Sequence, residues 1–128
     1  MQAYIIVFLG AGIGGALRHG INLGCARYCG TAFPYGTLTV NVVGSFLMGA
    51  IAGWLAFKAG EGWSQHMRLF LTTGMLGGFT TFSAFSLDAL LIWERGEMGL
   101  AFGYVAASVV LSIAGLAAGL ALVRTLAA

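Results

Sequence analysis

The chain has 128 residues, of which 59% are hydrophobic and only 8% charged, and its mean hydropathy is +0.94. A soluble domain carries roughly 25% charged residues, so this composition describes a membrane protein and leaves no room for a separate soluble domain. The net charge of +2 comes from six basic and four acidic residues scattered along the chain, without the basic runs of a nucleic-acid binder.

The opening Met1-Gln2-Ala3-Tyr4 lacks the positive region of a targeting peptide, and the apolar segment that follows runs on too long for one. A membrane span needs about 20 apolar residues. Residues 4–23 supply the first, with Arg18 near its far end. Cys25 and Cys29 share one face of a helix end; with only His19 nearby they form no zinc motif and read as free thiols packing as small hydrophobes. Residues 28–34 read as a loop in which Pro34 suits the first turn of the next helix. The second span is 37–57, followed by a polar loop holding Gly60, Glu61 and Gly62. The third apolar stretch is 67–93, and the fourth, 100–123, is closed by Arg124. The expected fold is all-α, one transmembrane domain over residues 1–128 with four membrane-spanning helices. Trp63 and Trp93 stand at segment ends as interface anchors; Trp54 lies one turn inside the second span.

The third stretch is too long. As an unbroken helix it would measure about 40 Å, against a hydrocarbon core of about 30 Å. Tilt would absorb the difference, and so would an interruption at Gly77-Gly78, which also accounts for two adjacent glycines followed by two threonines. Non-helical backbone at membrane depth survives only where protein covers it or a polar cavity adjoins it, so the interruption is a candidate ion site.

Glycines four apart recur at Gly10/Gly14, Gly20/Gly24, Gly49/Gly53, Gly74/Gly78, Gly99/Gly103 and Gly115/Gly119. Such pairs let helices approach closely in lipid, within one chain or between copies. Basic residues near span ends set orientation. Lys58, Arg68 and Arg124 fall on the side of the N-terminus, and Arg18, Arg27 and Arg95 on the other. This balance allows insertion in both senses and pairing of two inverted copies, a device transporters use within one chain. The alternative is a single orientation with weak signals. Four helices enclose a pathway poorly and eight enclose one well, which favours a homodimer.

Polar groups within the spans are costly and informative. Asn41 lies one turn into the second span with Ser45 on the same face; its amide either serves an ion or bonds a neighbouring carbonyl. Tyr104, Ser108 and Ser112 form one polar stripe on the fourth span. Those hydroxyls either escort an ion or bond back to their own helix. Phe79, Phe82 and Phe85 recur every third residue, an aromatic stripe that packs or offers positive ring edges to an anion. Asp88, the only acid within a span, lies about 12 Å along a helix from Thr80, toward an interface.

These segments together resemble the small dual-topology fluoride channels, the Fluc (CrcB-like) proteins. Residues 12–18 (Gly-Ile-Gly-Gly-Ala-Leu-Arg), 36–45 (Gly-Thr-Leu-Thr-Val-Asn-Val-Val-Gly-Ser) and 77–86 (Gly-Gly-Phe-Thr-Thr-Phe-Ser-Ala-Phe-Ser) are similar to the family's first-, second- and third-helix patterns, and the likeness covers the whole chain. The resemblance implies an antiparallel homodimer in the bacterial inner membrane, with a broken third helix and two pathways for passive fluoride export. It implies Asn41, Phe82, Phe85, Tyr104, Ser108 and Ser112 along the fluoride pathway and Arg18 in an electropositive vestibule. It also implies a structural sodium ion held by the backbone carbonyls of Gly77 and Thr80. The chain departs from the family pattern at Ala84, where threonine is usual, at Asp88, where glutamate is usual, and at His19, where an aromatic residue is common. A small dual-topology drug exporter shares the length and helix count but needs a first-helix carboxylate, and no acid precedes Glu61. A membrane subunit that transports nothing is the remaining alternative.

Overall fold

The computed structural model describes residues 1–55 and 65–127. Lys58, Trp63 and most of the polar loop after the second span therefore lie outside the described residues. Helix α1 is Gln2–Cys29 and α2 is Tyr35–Trp54. Residues 65–79, here α3, consist of an α-helical turn (Gln65–Arg68), a π-helical stretch (Leu69–Leu76) and a last helical turn (Gly77–Phe79). Helix α4 is Phe82–Glu94 and α5 is Met98–Ala127. No strand occurs among the described residues. Four segments, Gln2–Cys29, Tyr35–Trp54, Gln65–Glu94 and Met98–Leu126, are long and apolar enough to cross a membrane.

Helix α1 extends further than its apolar run predicts. It takes in Tyr28 and stops where Gly30 adopts a φ of 84°, which a residue with a side chain rarely adopts. Pro34 is the residue before α2 rather than part of its first turn. Gly96, with a φ of 87°, makes the turn between α4 and α5.

The helices associate as two close pairs, α1 with α3 and α2 with α5, and α4 lies along α5. Lipid tails are as apolar as leucine, so helices in a bilayer gain by van der Waals approach rather than by escape from water. The seams show this. A methyl group on Gly14 would overlap the carbonyl oxygen of Met75 on α3, and one on Gly49 would overlap the carbonyl oxygen of Leu116 on α5. Gly119 stands in the same relation to Phe46 on α2. The conventional core is correspondingly small: Val40, Leu76, Phe79, Phe85, Ile92, Ala101 and Tyr104.

Most of the glycine pairs thus act within one chain, while Gly20/Gly24 and Gly99/Gly103 face open space. The pair Gly77-Gly78 needs a correction. Both residues are helical, and the absence of a side chain at Gly78 admits the backbone of Ala11 on α1. The extended dihedrals fall instead on Thr80 (φ −86°, ψ 160°) and Thr81 (φ −153°, ψ 123°). The glycines serve helix contact; the threonines carry the change of backbone course. Ahead of it, the π-helical stretch sends the Gly77 N–H to the carbonyl of Thr72, five residues back, a wider turn of a kind frequent near functional sites.

Overpacking at a backbone contact typically costs about 1–3 kcal/mol and sometimes more. Gly14→Val and Gly49→Val are therefore expected to lower the thermal melting temperature of the detergent-solubilised protein, or to abolish its recovery in folded form. Gly12→Val, where a side chain meets nothing in the chain, should be far milder. Equal melting of all three variants would remove the glycine seams as the basis of the fold.

Candidate functional site

The extended step at Thr80–Thr81 leaves main-chain groups without their helical partners, and the neighbouring elements take most of them up. Thr80 still donates its N–H to the Leu76 carbonyl at 3.0 Å, and its hydroxyl donates to the same carbonyl at 2.9 Å. Thr81 turns away. Its N–H donates to Oδ1 of Asn41 at 2.7 Å, and its carbonyl accepts from Nδ2 of Asn41 at 2.9 Å. The Asn41 amide thus pairs with the backbone of Thr81 as a neighbouring strand would, and the two bonds together fix which way the amide points. An amide carries two N–H groups, so one is left after this pairing. The Thr81 hydroxyl then accepts the N–H of Ala84 at 3.2 Å and caps α4.

Two carbonyls lose the amide that an uninterrupted helix would send them. For Gly77 that amide is Thr81 N–H, which goes to Asn41; for Thr80 it is Ala84 N–H, which goes to the Thr81 hydroxyl. Gly77 is exposed and Thr80 half-buried.

Beside this step lies a cleft of about 340 Å³, lined by residues of α2 (Asn41, Ser45), the step itself (Thr80, Thr81), α4 (Phe82, Phe85) and α5 (Ser108, Val109, Ser112, Ile113). No ionised side chain is among them. Three helices and one irregular step therefore bring together most of the residues singled out from the sequence. Phe82 and Phe85 are 5.4 Å apart, centroid to centroid, with planes at 50°. Phe85 is 9% exposed, whereas Phe82 is 78% exposed and forms an open side of the cleft. Phe79 is not part of this stripe. The extended step displaces it, and its ring packs against Gly44 instead.

Ser108 separates the two readings of the α5 stripe. Thr72, Thr80, Ser86 and Thr125 bond back to the carbonyl four residues earlier. The Ser108 hydroxyl makes no such bond: its oxygen is buried between the cleft wall and the Tyr104 hydroxyl, with which it interacts one turn along the helix.

Tyr104 stands one turn beyond Ser108 but outside the cleft lining. Its ring is wholly buried, 5.3 Å from Phe85 on one side and 5.4 Å from Phe33 on the other. Its O–H donates to Oδ2 of Asp88 at a long 3.4 Å, while the Thr37 hydroxyl donates to the same oxygen at 2.8 Å. Asp88 is half-buried and joins α2, α4 and α5. Arg18 is half-buried on α1, on the helical face of Gly14 and Asn22, and is not among the residues lining the cleft. Cys25 and Cys29 are free thiols; Cys29 is exposed at the end of α1 rather than packed. Trp93 packs edge-on against Phe102 at 5.7 Å.

Sequence reasoning passed over three residues here. Thr81, a threonine directly before an apolar helix, carries an N-cap signal that would have found it. Thr37 and Phe33 carry no such signal, because each acts on a partner far along the chain.

The family model described as CrcB-like protein, Camphor Resistance (CrcB), matches residues 5–120. A curated relative from Rhodopseudomonas palustris, named Fluoride-specific ion channel FluC, is 62% identical over 98% of this chain and 99% of its own length. One from Nitrobacter hamburgensis, named Fluoride-specific ion channel FluC 2, is 58% identical over 96% of this chain and 98% of its own. One from Granulibacter bethesdensis, named Fluoride-specific ion channel FluC, is 58% identical over 98% of each chain. With a family match across nearly all of its length, this protein belongs to the CrcB-like family.

Proposed function

We propose that this chain is one half of a passive, fluoride-selective channel of the bacterial inner membrane, and not an enzyme. The observation that carries the reading is the chemistry of the cleft. It offers the hydroxyls of Ser108 and Ser112, a second N–H on Asn41 and two phenylalanine rings, with no ionised group in its lining. Donors and positive ring edges favour an anion. Fluoride is small and strongly hydrated, so the wall must replace its water with good donors. Phe82, Phe85, Ser108 and Ser112 carry it past Asn41, and Tyr104 continues the polar track. Arg18 raises the local concentration of anions at a vestibule.

The open side of the cleft supports a second copy. Lipid cannot wall an ion pathway, yet the Phe82 ring is 78% exposed in one chain. An inverted copy pressed against Phe82 closes that side, and the two-fold arrangement yields two pathways. At the centre of such a dimer the extended steps of both copies meet and act as helix breaks. The carbonyls of Gly77 and Thr80, whose helical amides are engaged elsewhere, fit a sodium ion, which accepts carbonyl oxygens at irregular helix ends. When bound, sodium supplies a fixed positive charge that joins the subunits and favours nearby anions. A cation exporter is poorly served, since the carboxylate of Asp88 already accepts from Thr37 and Tyr104.

Liposomes carrying the protein should release fluoride down its gradient without a proton gradient while retaining chloride. Retained fluoride, or release of both halides alike, would count against the channel. Asn41→Asp replaces the donor to the Thr81 carbonyl with an anion and should cut fluoride efflux by about tenfold or more, since an unpaired buried group costs about 1–3 kcal/mol. Efflux at the normal rate would show that the amide pairing is dispensable. Phe82→Ile and Phe85→Ile should each slow efflux while the dimer stays intact on gel filtration; unaltered flux in both would remove the rings from the path.

A further inference from the structure

We propose that Phe33, in the loop between α1 and α2, is the outer plug of this pathway and limits the rate at which ions leave it past Tyr104. The inference rests on the channel reading above. The rings of Phe82, Phe85, Tyr104, Phe33 and Tyr35 form one continuous line, with successive centroids 5.4, 5.3, 5.4 and 4.8 Å apart. The cleft meets only the first two. Beyond Ser108 the track reaches Tyr104, which has no exposed surface at all. An ion arriving there finds Phe85 on one side, Phe33, perpendicular to the tyrosine ring, on the other, and the Asp88 carboxylate accepting the tyrosine O–H. Something must move for it to pass. Phe85 is one turn inside a capped helix and buried in the small core; Phe33 is only partly buried and sits on a short loop.

That loop is held at both flanks of the plug. The Phe33 carbonyl accepts the Tyr35 N–H at 2.8 Å across Pro34, whose φ of −80° and ψ of 69° describe an inverse γ-turn. The Ala32 carbonyl accepts from the Arg95 guanidinium at 3.0 Å, and Arg95 is itself held by Glu97 at 2.8 Å. Arg95 thus straps the loop to the turn between α4 and α5, outside the aromatic line. The geometry keeps the ring on Tyr104 without covalent restraint, so the plug swings when the edge-to-face contact parts.

The test is the initial rate of fluoride efflux from liposomes bearing wild type, Phe33→Ala, Phe33→Trp and Arg95→Gln at equal, low protein-to-lipid ratios. Gel filtration and thermal melting confirm the assembled state of each. Phe33→Ala should conduct about two- to tenfold faster than wild type, the range set by the aromatic contact that no longer has to part. Arg95→Gln, which leaves every ring in place, should move in the same direction by a smaller factor. Phe33→Trp should be no faster than wild type. A residue that merely supports the fold would slow conduction or leave it alone when truncated. Wild-type flux with both Phe33→Ala and Arg95→Gln at or below it would overturn the plug and leave the channel standing. Silence in all four proteins would overturn the channel, and the plug with it.

Discussion

Backbone polar groups at membrane depth have no water to fall back on, and the structure is organised around one place where this matters. At Thr81 the main-chain N–H gives up its helical acceptor, and a single side chain from another helix answers it. The Asn41 amide is both acceptor and donor to Thr81, replacing the helical acceptor that the Thr81 N–H gives up and adding a donor to the Thr81 carbonyl. An ionised aspartate at this position, an acceptor only, could do just half of this. The step is tolerable because the replacement is complete on that residue, and because the Thr81 hydroxyl immediately restarts a helix. In lipid, an irregular segment without such partners would cost several kcal/mol per unpaired group.

The same interaction arranges the site. By holding Thr81, Asn41 sets where α4 begins, and so where Phe82 and Phe85 point relative to α5. Asn41 is at the same time part of the cleft lining. Of the two alternatives raised by its position in the span, the bond to a neighbouring carbonyl is the one the structure shows. The glycine seams do related work at larger scale. They bring α1 against α3 and α2 against α5 at backbone distance, so the cleft is walled by rigid helices with few bulky core side chains. Stability from close approach leaves large side chains such as Phe82 exposed at the cleft.

Much of this was legible in the residues. Composition fixes the membrane environment, and apolar runs locate four crossing segments. The four-residue spacing of Tyr104, Ser108 and Ser112 puts them on one face of α5, as found. Helical periodicity belongs to a single element, so one sequence suffices to read it. The position of the extended step was misread by three residues. Gly77-Gly78 looks like a helix breaker, but glycine serves two purposes in a membrane helix, breaking it or letting another helix close in. Which one applies depends on whether a partner backbone lies alongside, as Ala11 does at Gly78.

The sequence by itself therefore determined the spans, the polar stripe and the concentration of helix-poor residues in the third segment, because each is written in local order and spacing. Only the tertiary structure decided that Asn41 pairs with Thr81, that Phe79 leaves the aromatic stripe, and that Tyr104 is sealed between Phe85 and Phe33. Each of these depends on groups separated by tens of residues meeting in space. A hydrogen bond or a ring contact is decided by distance and angle between elements, and no pattern within one element encodes that.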